Sequence, residues 1–168
     1  MVLMLTADAK YKVQQASELR DSIEVFQATD YQRFLNKLIP VFLRILGEGT
    51  PLFVSTLPEQ KLRVCILEIL HRLPLNDHYK EYAKDIMALL MQIVRTDNEE
   101  NAVLALKIMI DLHRNYKTVV ADQVQPFLDF VFEMYQNMHA IVKDAFESNT
   151  IPVTGSTPAA TVLTLIPS

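Results

Sequence analysis

Two stretches of the chain repeat one another. Leu67-Glu68-Ile69-Leu70-His71-Arg72 lines up with Met109-Ile110-Asp111-Leu112-His113-Arg114, a step of 42 residues from His71 to His113. Each copy sits in an apolar helix that another amphipathic helix follows. Paired helices recurring every ~40 to 47 residues mark HEAT and armadillo arrays. One such pair has nowhere to hide its apolar stripes alone, so consecutive pairs stack and share a continuous core. The repeat restricts the chain to an all-α fold, an α-solenoid (armadillo-like superhelix) of about three HEAT-like helix pairs.

Apolar spacing of 3.6 residues supports six helical segments. The first is expected from Ala7 to Phe26, with Tyr11, Val13, Ala16, Leu19, Ile23 and Phe26 on one face. The second opens on a capping box, Thr29-Asp30-Tyr31-Gln32, and carries Phe34, Leu35, Leu38, Val41, Phe42, Ile45 and Leu46. Pro40 should kink it and Gly47 should stop it. The third starts at a second capping box, Thr56-Leu57-Pro58-Glu59, shows the stripe Leu62, Ile66, Ile69, Leu70 and Leu73, and ends at Pro74.

The fourth takes Asn76 or Asp77 as its cap and runs to about Arg95 through Tyr79, Tyr82, Ala83, Ile86, Leu89, Leu90 and Ile93. Glu81, Lys84, Asp85, Gln92 and Arg95 lie opposite that stripe. The fifth is expected to be capped by Asp97, with Glu99 and Glu100 at the positive end of the helix dipole. From Ala102 to Leu112 it is apolar nearly all round, which predicts burial on both sides. The sixth runs from about Val120 to Met138, with Pro126 either kinking it or marking its start, and a short amphipathic turn follows at Ile141 to Phe146. Residues 1–148 therefore read as HEAT-like helical repeats. Residues 149–168 have the uncharged, aperiodic composition of a flexible linker leading to further repeats.

Composition narrows the function. The net charge of −4 argues against a direct nucleic-acid surface, which needs clustered Lys and Arg. No apolar run approaches the ~20 residues of a membrane span, so no membrane partner is expected. Met1 to Leu5 is apolar but lacks the basic flank of a signal peptide. Cys65 is the one cysteine, so no internal disulfide can form, and a reducing compartment is the natural setting. These features together describe a soluble protein that is not secreted.

No catalytic constellation emerges. The chain has no phosphate-binding glycine loop, no HExxH and no CxxC pair. Gly47-Glu48-Gly49 reads as a helix stop. His71 and His113 lie near helix C-termini, where imidazolium suits the dipole, and no ligand spacing completes a metal site around them. Cys65 shares a helix with Leu62 and Ile66 and has no partner base, which fits a small core residue. The expectation is no enzyme, no cofactor and no metal. In a solenoid the second helix of each pair commonly lines the concave face. Its candidate protein-binding residues here are Arg33, Lys37, Lys84, Asp85, Gln92, Asp122, Asp129 and Glu133. The same residues also fit an ordinary solvated face.

Several of these segments together resemble the TRRAP (transformation/transcription domain-associated protein) family, in its N-terminal HEAT-repeat region. The matching pieces are Lys61-Leu62-Arg63 with Leu67-Glu68-Ile69-Leu70-His71-Arg72-Leu73-Pro74, then Asp97-Asn98-Glu99-Glu100-Asn101, and Pro126-Phe127-Leu128-Asp129-Phe130-Val131. The likeness covers roughly Tyr31 to Phe146 and is poor over the first helix. It implies a very large scaffold whose kinase-like domain is catalytically dead and lies far from this segment. It also implies a nuclear subunit of histone acetyltransferase coactivator complexes such as SAGA. The partners implied are transcription activators, coactivator-complex subunits and the remaining repeats of the same chain. A HEAT-type transport or trafficking adaptor is the alternative reading of the same helices.

Overall fold

The computed structural model describes residues 8–23, 30–51 and 54–148. Ala7, the stretch through Phe26 to Thr29, and the expected linker 149–168 lie outside the described residues. Among the described residues the chain forms seven α-helices, a 3-10 turn and no strand. It divides into two compact units, Met1–Leu128 and Asp129–Ser168.

In the first unit, α1 (Ala9–Ser22) begins at Asp8, whose carboxylate accepts the Ala9 N–H. Only Ala16 of α1 and Ile23 beyond it are buried, and Tyr11, expected on the apolar face, stays exposed. α2 (Tyr31–Glu48) runs unbroken through Pro40 and buries Tyr31, Leu35, Leu38, Ile39, Phe42 and Leu46. Gly47 does not stop it. The helix continues to Glu48, and Gly49 follows in extended backbone with φ −73°. Glycine is required there because of close approach. A Cβ on Gly49 would stand 2.7 Å from the Ile45 carbonyl oxygen and 3.1 Å from Arg63 Nη1.

α3 (Pro58–Arg72) lacks the expected capping box. Its cap position is Leu57, which has no side-chain acceptor, so Thr56 stands one residue outside the helix. Pro58 sets the first turn instead, and its missing N–H is one the turn could not have paired anyway. The expected stripe Leu62, Ile66, Ile69, Leu70 and Leu73 is buried, and so is Cys65. Burial pushes the Cys65 thiol pKa up.

The expected fourth helix is two pieces. α4 (Asp77–Lys80) is capped by Asn76, whose side chain accepts from the His78 and Tyr79 N–H groups. A turn at Glu81–Tyr82 then leads into α5 (Ala83–Thr96). α6 (Glu99–Asn115) is capped by Asn98 through the Asn101 N–H, not by Asp97. Its burial on both sides is not observed either: Val103 is 45% and Ile110 51% exposed. A 3-10 turn, Ala121–Gln123, precedes α7 (Val124–Ser148). Pro126 therefore falls in the first turn of α7, where a missing N–H costs nothing. The expected separate turn at Ile141 to Phe146 belongs to the same helix.

The packing within the first unit explains why these stripes face as they do. α1 lies against α3 and α3 against α6, while α2 lies against α5; α2 also meets α3, and α5 meets α6. Thus α1, α3 and α6 form one row, α2 and α5 form the other, and the two rows face each other. This is the layering of an α-solenoid. Its core is mainly aliphatic, with Leu35, Ile66, Leu70, Ile86 and Leu90 at 1% exposure or less beside the aromatic Phe42 and Tyr79 at 0%. Each such side chain contributes about 1.5–3 kcal/mol on burial. In the second unit, the described part of α7 from residue 129 on leaves Val131, Phe132, Met134, Tyr135 and Met138 exposed.

Candidate functional site

All eight residues expected on the binding face are solvent-exposed. Arg33 and Lys37 lie on α2, and Lys84, Asp85 and Gln92 on α5. α2 and α5 are neighbours in one row, and the Tyr82 hydroxyl, just before α5, donates to Asn36 Oδ1 of α2 at 2.6 Å. The structure brings two of the eight directly together: Lys84 forms an ion pair with Asp122. That contact holds the Asp122 carboxyl below its usual pKa range. Asp129 and Glu133 belong to the second unit. Six of the eight thus lie in one unit, on two neighbouring helices and the 3-10 turn. They offer mixed charge and no arrangement for bond-making chemistry. Among the described residues no group of His, Cys, Asp and Glu could hold a metal ion, and no helix is long and apolar enough to cross a membrane.

Two further features escaped the sequence reading. The first is a buried charge network. The Arg63 guanidinium, on α3, donates through Nε and Nη2 to Asp97 Oδ2 at 2.9 and 2.5 Å. Its Nη1 donates to the Leu46 and Gly49 carbonyls at 3.0 and 3.2 Å, satisfying acceptors at the end of α2. Asp97 Oδ1 accepts from the Asn98 N–H and from Asn101 Nδ2. Both charged side chains are at most 5% exposed. One arginine therefore ties the end of α2, the body of α3 and the start of α6, that is, three successive helix pairs. The available signal was a charged residue between Leu62 and Ile66 on a helix otherwise apolar on that face.

The second is an apolar groove of about 450 Å³ in the first unit. Met87 of α5, Leu106, Met109 and Ile110 of α6, and Val124 and Phe127 of α7 line it. His113 and Arg114 also line it, and among the described residues no acidic one does. Its sequence trace is the apolar run of α6, which has more apolar positions than its neighbours cover. His71 and Asp111, from the two copies of the repeated hexapeptide, meet at 3.5 Å between α3 and α6. The repeated helices thus touch each other, through different positions of the two copies.

Several known proteins share this stretch. The chain is 39% identical over 132 residues to the "Probable transcription-associated protein 1" of Dictyostelium discoideum, covering 79% of this chain. It is 33% identical over 148 residues, 84% of this chain, to the human "Transformation/transcription domain-associated protein". The chain belongs to that family. A further relative, 33% identical over 152 residues and 89% of this chain, is the "SAGA complex/NuA4 acetyltransferase complex subunit" of Schizosaccharomyces pombe. The chain spans only 3 to 4% of the length of these transcription-associated relatives. No family model matches it, and no solved structure does.

Proposed function

We propose that this chain is a scaffold segment of a nuclear transcription coactivator subunit, one that helps assemble histone acetyltransferase complexes and offers transcription activators a surface. The observation that carries the proposal is the 33 to 39% identity, over most of the chain, to transcription-associated proteins, one of which is named as a subunit of SAGA and NuA4. The physical properties agree with it. Stacked helix pairs present extended surface without a catalytic cleft. The exposed residues of α2 and α5 carry both signs of charge, which suits specific, salt-sensitive protein contacts more than phosphate binding.

Affinity capture with the intact protein from nuclear extract, followed by identification of what co-purifies, tests the proposal. Coactivator-complex subunits and acetyltransferase activity are the expected yield. Recovery of transport or vesicle components in their place would favour the adaptor reading. Tight binding of this chain to duplex DNA would contradict the argument from its net charge of −4.

A further inference from the structure

We propose that α1 is a displaceable cover on α3, one that opens by itself while the rest of the first unit stays folded and that lays bare Gln60 and Cys65 when it does. Two sets of observations lead there: the closed position carries a built-in penalty, and little holds it.

The penalty lies in a cleft of about 360 Å³ between the two helices. Val13, Ser17 and Arg20 line it from α1, and Gln60, Cys65 and Glu68 line it from α3. Gln60 is 1% exposed, and both its side-chain nitrogen and its oxygen are buried with no hydrogen-bond partner among the described residues. A primary amide has two N–H donors and an accepting oxygen, and water satisfies all of them when the group is open to solvent. Burying them unpaired favours whichever state lets water back in. Seating α1 therefore works against the amide it covers.

The contacts that hold α1 are few. Ala16 is its one buried side chain, a single methyl. Arg20 pairs with Glu68 at 2.8 Å across the cleft, but it shares itself with Asp21 at 3.0 Å, and the Arg20 and Glu68 side chains are 29 and 35% exposed. An ion pair that wet holds weakly. The bonds from Gln14 and Gln15 to Glu18 stay within α1 and survive its departure.

The helix left behind is secured elsewhere. α3 keeps its packing against α6 and α2, and Arg63 still ties it to Asp97 and to the Leu46 carbonyl. Segments that move are drawn from the weakly held end of a structure, with few buried apolar contacts and exposed hydrogen bonds. In this row α1 has that character and α3 does not.

Cys65 supplies the test. It is the chain's one cysteine and is 5% exposed, so its reaction with uncharged N-ethylmaleimide reports the opening. In the full chain, labelling should proceed in the absence of denaturant at a rate that low urea hardly changes, because a local opening exposes little surface. Gln60→Met keeps the length of the side chain and removes the orphaned groups, so it should slow labelling about tenfold. Gln60→Glu places a carboxylate in the same cover and should speed labelling about tenfold. Arg20→Ala should speed it about threefold. Hydrogen exchange over residues 9–22 should follow the same order, and it does not depend on the thiol. Should Gln60→Glu lose the wild-type circular dichroism, Gln60→Met and Arg20→Ala decide. The proposal is overturned if Gln60→Met leaves labelling as fast as in the wild type. It is equally overturned if labelling climbs with urea as steeply as global unfolding, since α1 would then leave only when everything else does.

Discussion

Arg63 is the residue on which the most structure depends. Removing its guanidinium while keeping Asp97 leaves a carboxylate without its cation in a place that is 0% exposed at the side chain. It also strips the Leu46 and Gly49 carbonyls of their donor. Breaking a buried pair from one side typically costs about 3–5 kcal/mol. Arg63→Met should therefore lower the urea midpoint by that equivalent, and the double variant Arg63→Met/Asp97→Leu should recover part of the loss, because no buried charge is then orphaned. Gly49→Ala should destabilise by about 1–3 kcal/mol, since its Cβ meets the Ile45 carbonyl and Arg63 Nη1 without room to relax. Neither effect was legible from periodicity, which scores apolar positions and passes over an arginine on the buried face. The aliphatic residues around it were legible, and Leu62, Ile66, Ile69 and Leu70 all fall where their spacing puts them. The residues expected on a binding face were legible only as exposed ones, because a solvated face and a docking face obey the same spacing.

Helices declare themselves by their stripes but not by their ends. Asn98 and Asp97 are adjacent and both can cap, yet only the geometry of the turn decides that Asn98 Oδ1 reaches the Asn101 N–H at 3.0 Å while Asp97 turns inward to Arg63. Asn98→Ala should cost about 1 kcal/mol through the lost cap, less than the loss from Asp97→Ala, and chemical denaturation separates the two. The connection from α3 to α4 carries a different dependence. The Tyr31 hydroxyl donates to the Pro74 carbonyl at 2.7 Å, and the Tyr116 hydroxyl donates to the Asn76 carbonyl at 2.7 Å. Tyr79 and Tyr116 stack with ring centroids 6.3 Å apart. Burial raises all three phenol pKa values, that of Tyr116 to about 12. A phenol raised above its ordinary value near 10 stabilises the fold fully below that value, and the contribution is lost as pH climbs from there towards 12. Thermal midpoints should accordingly be flat through neutral pH and fall above about 10. Tyr116→Phe should cost about 1 kcal/mol at neutral pH and make the alkaline fall shallower.

At the largest scale, the two rows of helices in the first unit make stability a matter of neighbours. α3 touches α1 on one side and α6 on the other, and Arg63 binds it to the end of α2 as well, whereas α1 is joined chiefly to α3. α1 also buries little of itself. Its main ties to α3 are Ala16 at the contact and the Arg20–Glu68 ion pair at 2.8 Å, whose side chains are 29 and 35% exposed. In a stack of this kind stability is close to a sum of unit and interface contributions, so damage at an end stays local and damage in the middle spreads. Ala16→Asp should release α1 alone: native-state hydrogen exchange would speed up over residues 9–22 and hold nearly steady from α3 to α6. Ile66→Ala, at a fully buried position in α3, should remove about 2–5 kcal/mol and accelerate exchange in α2, α3, α5 and α6 together. Uniform acceleration from both variants would mean that the helices fold as one indivisible bundle, and the layered arrangement would not be governing their energetics. The repeated hexapeptide supports the graded outcome, because its two copies place His71 and Asp111 against one another where one repeat meets the next.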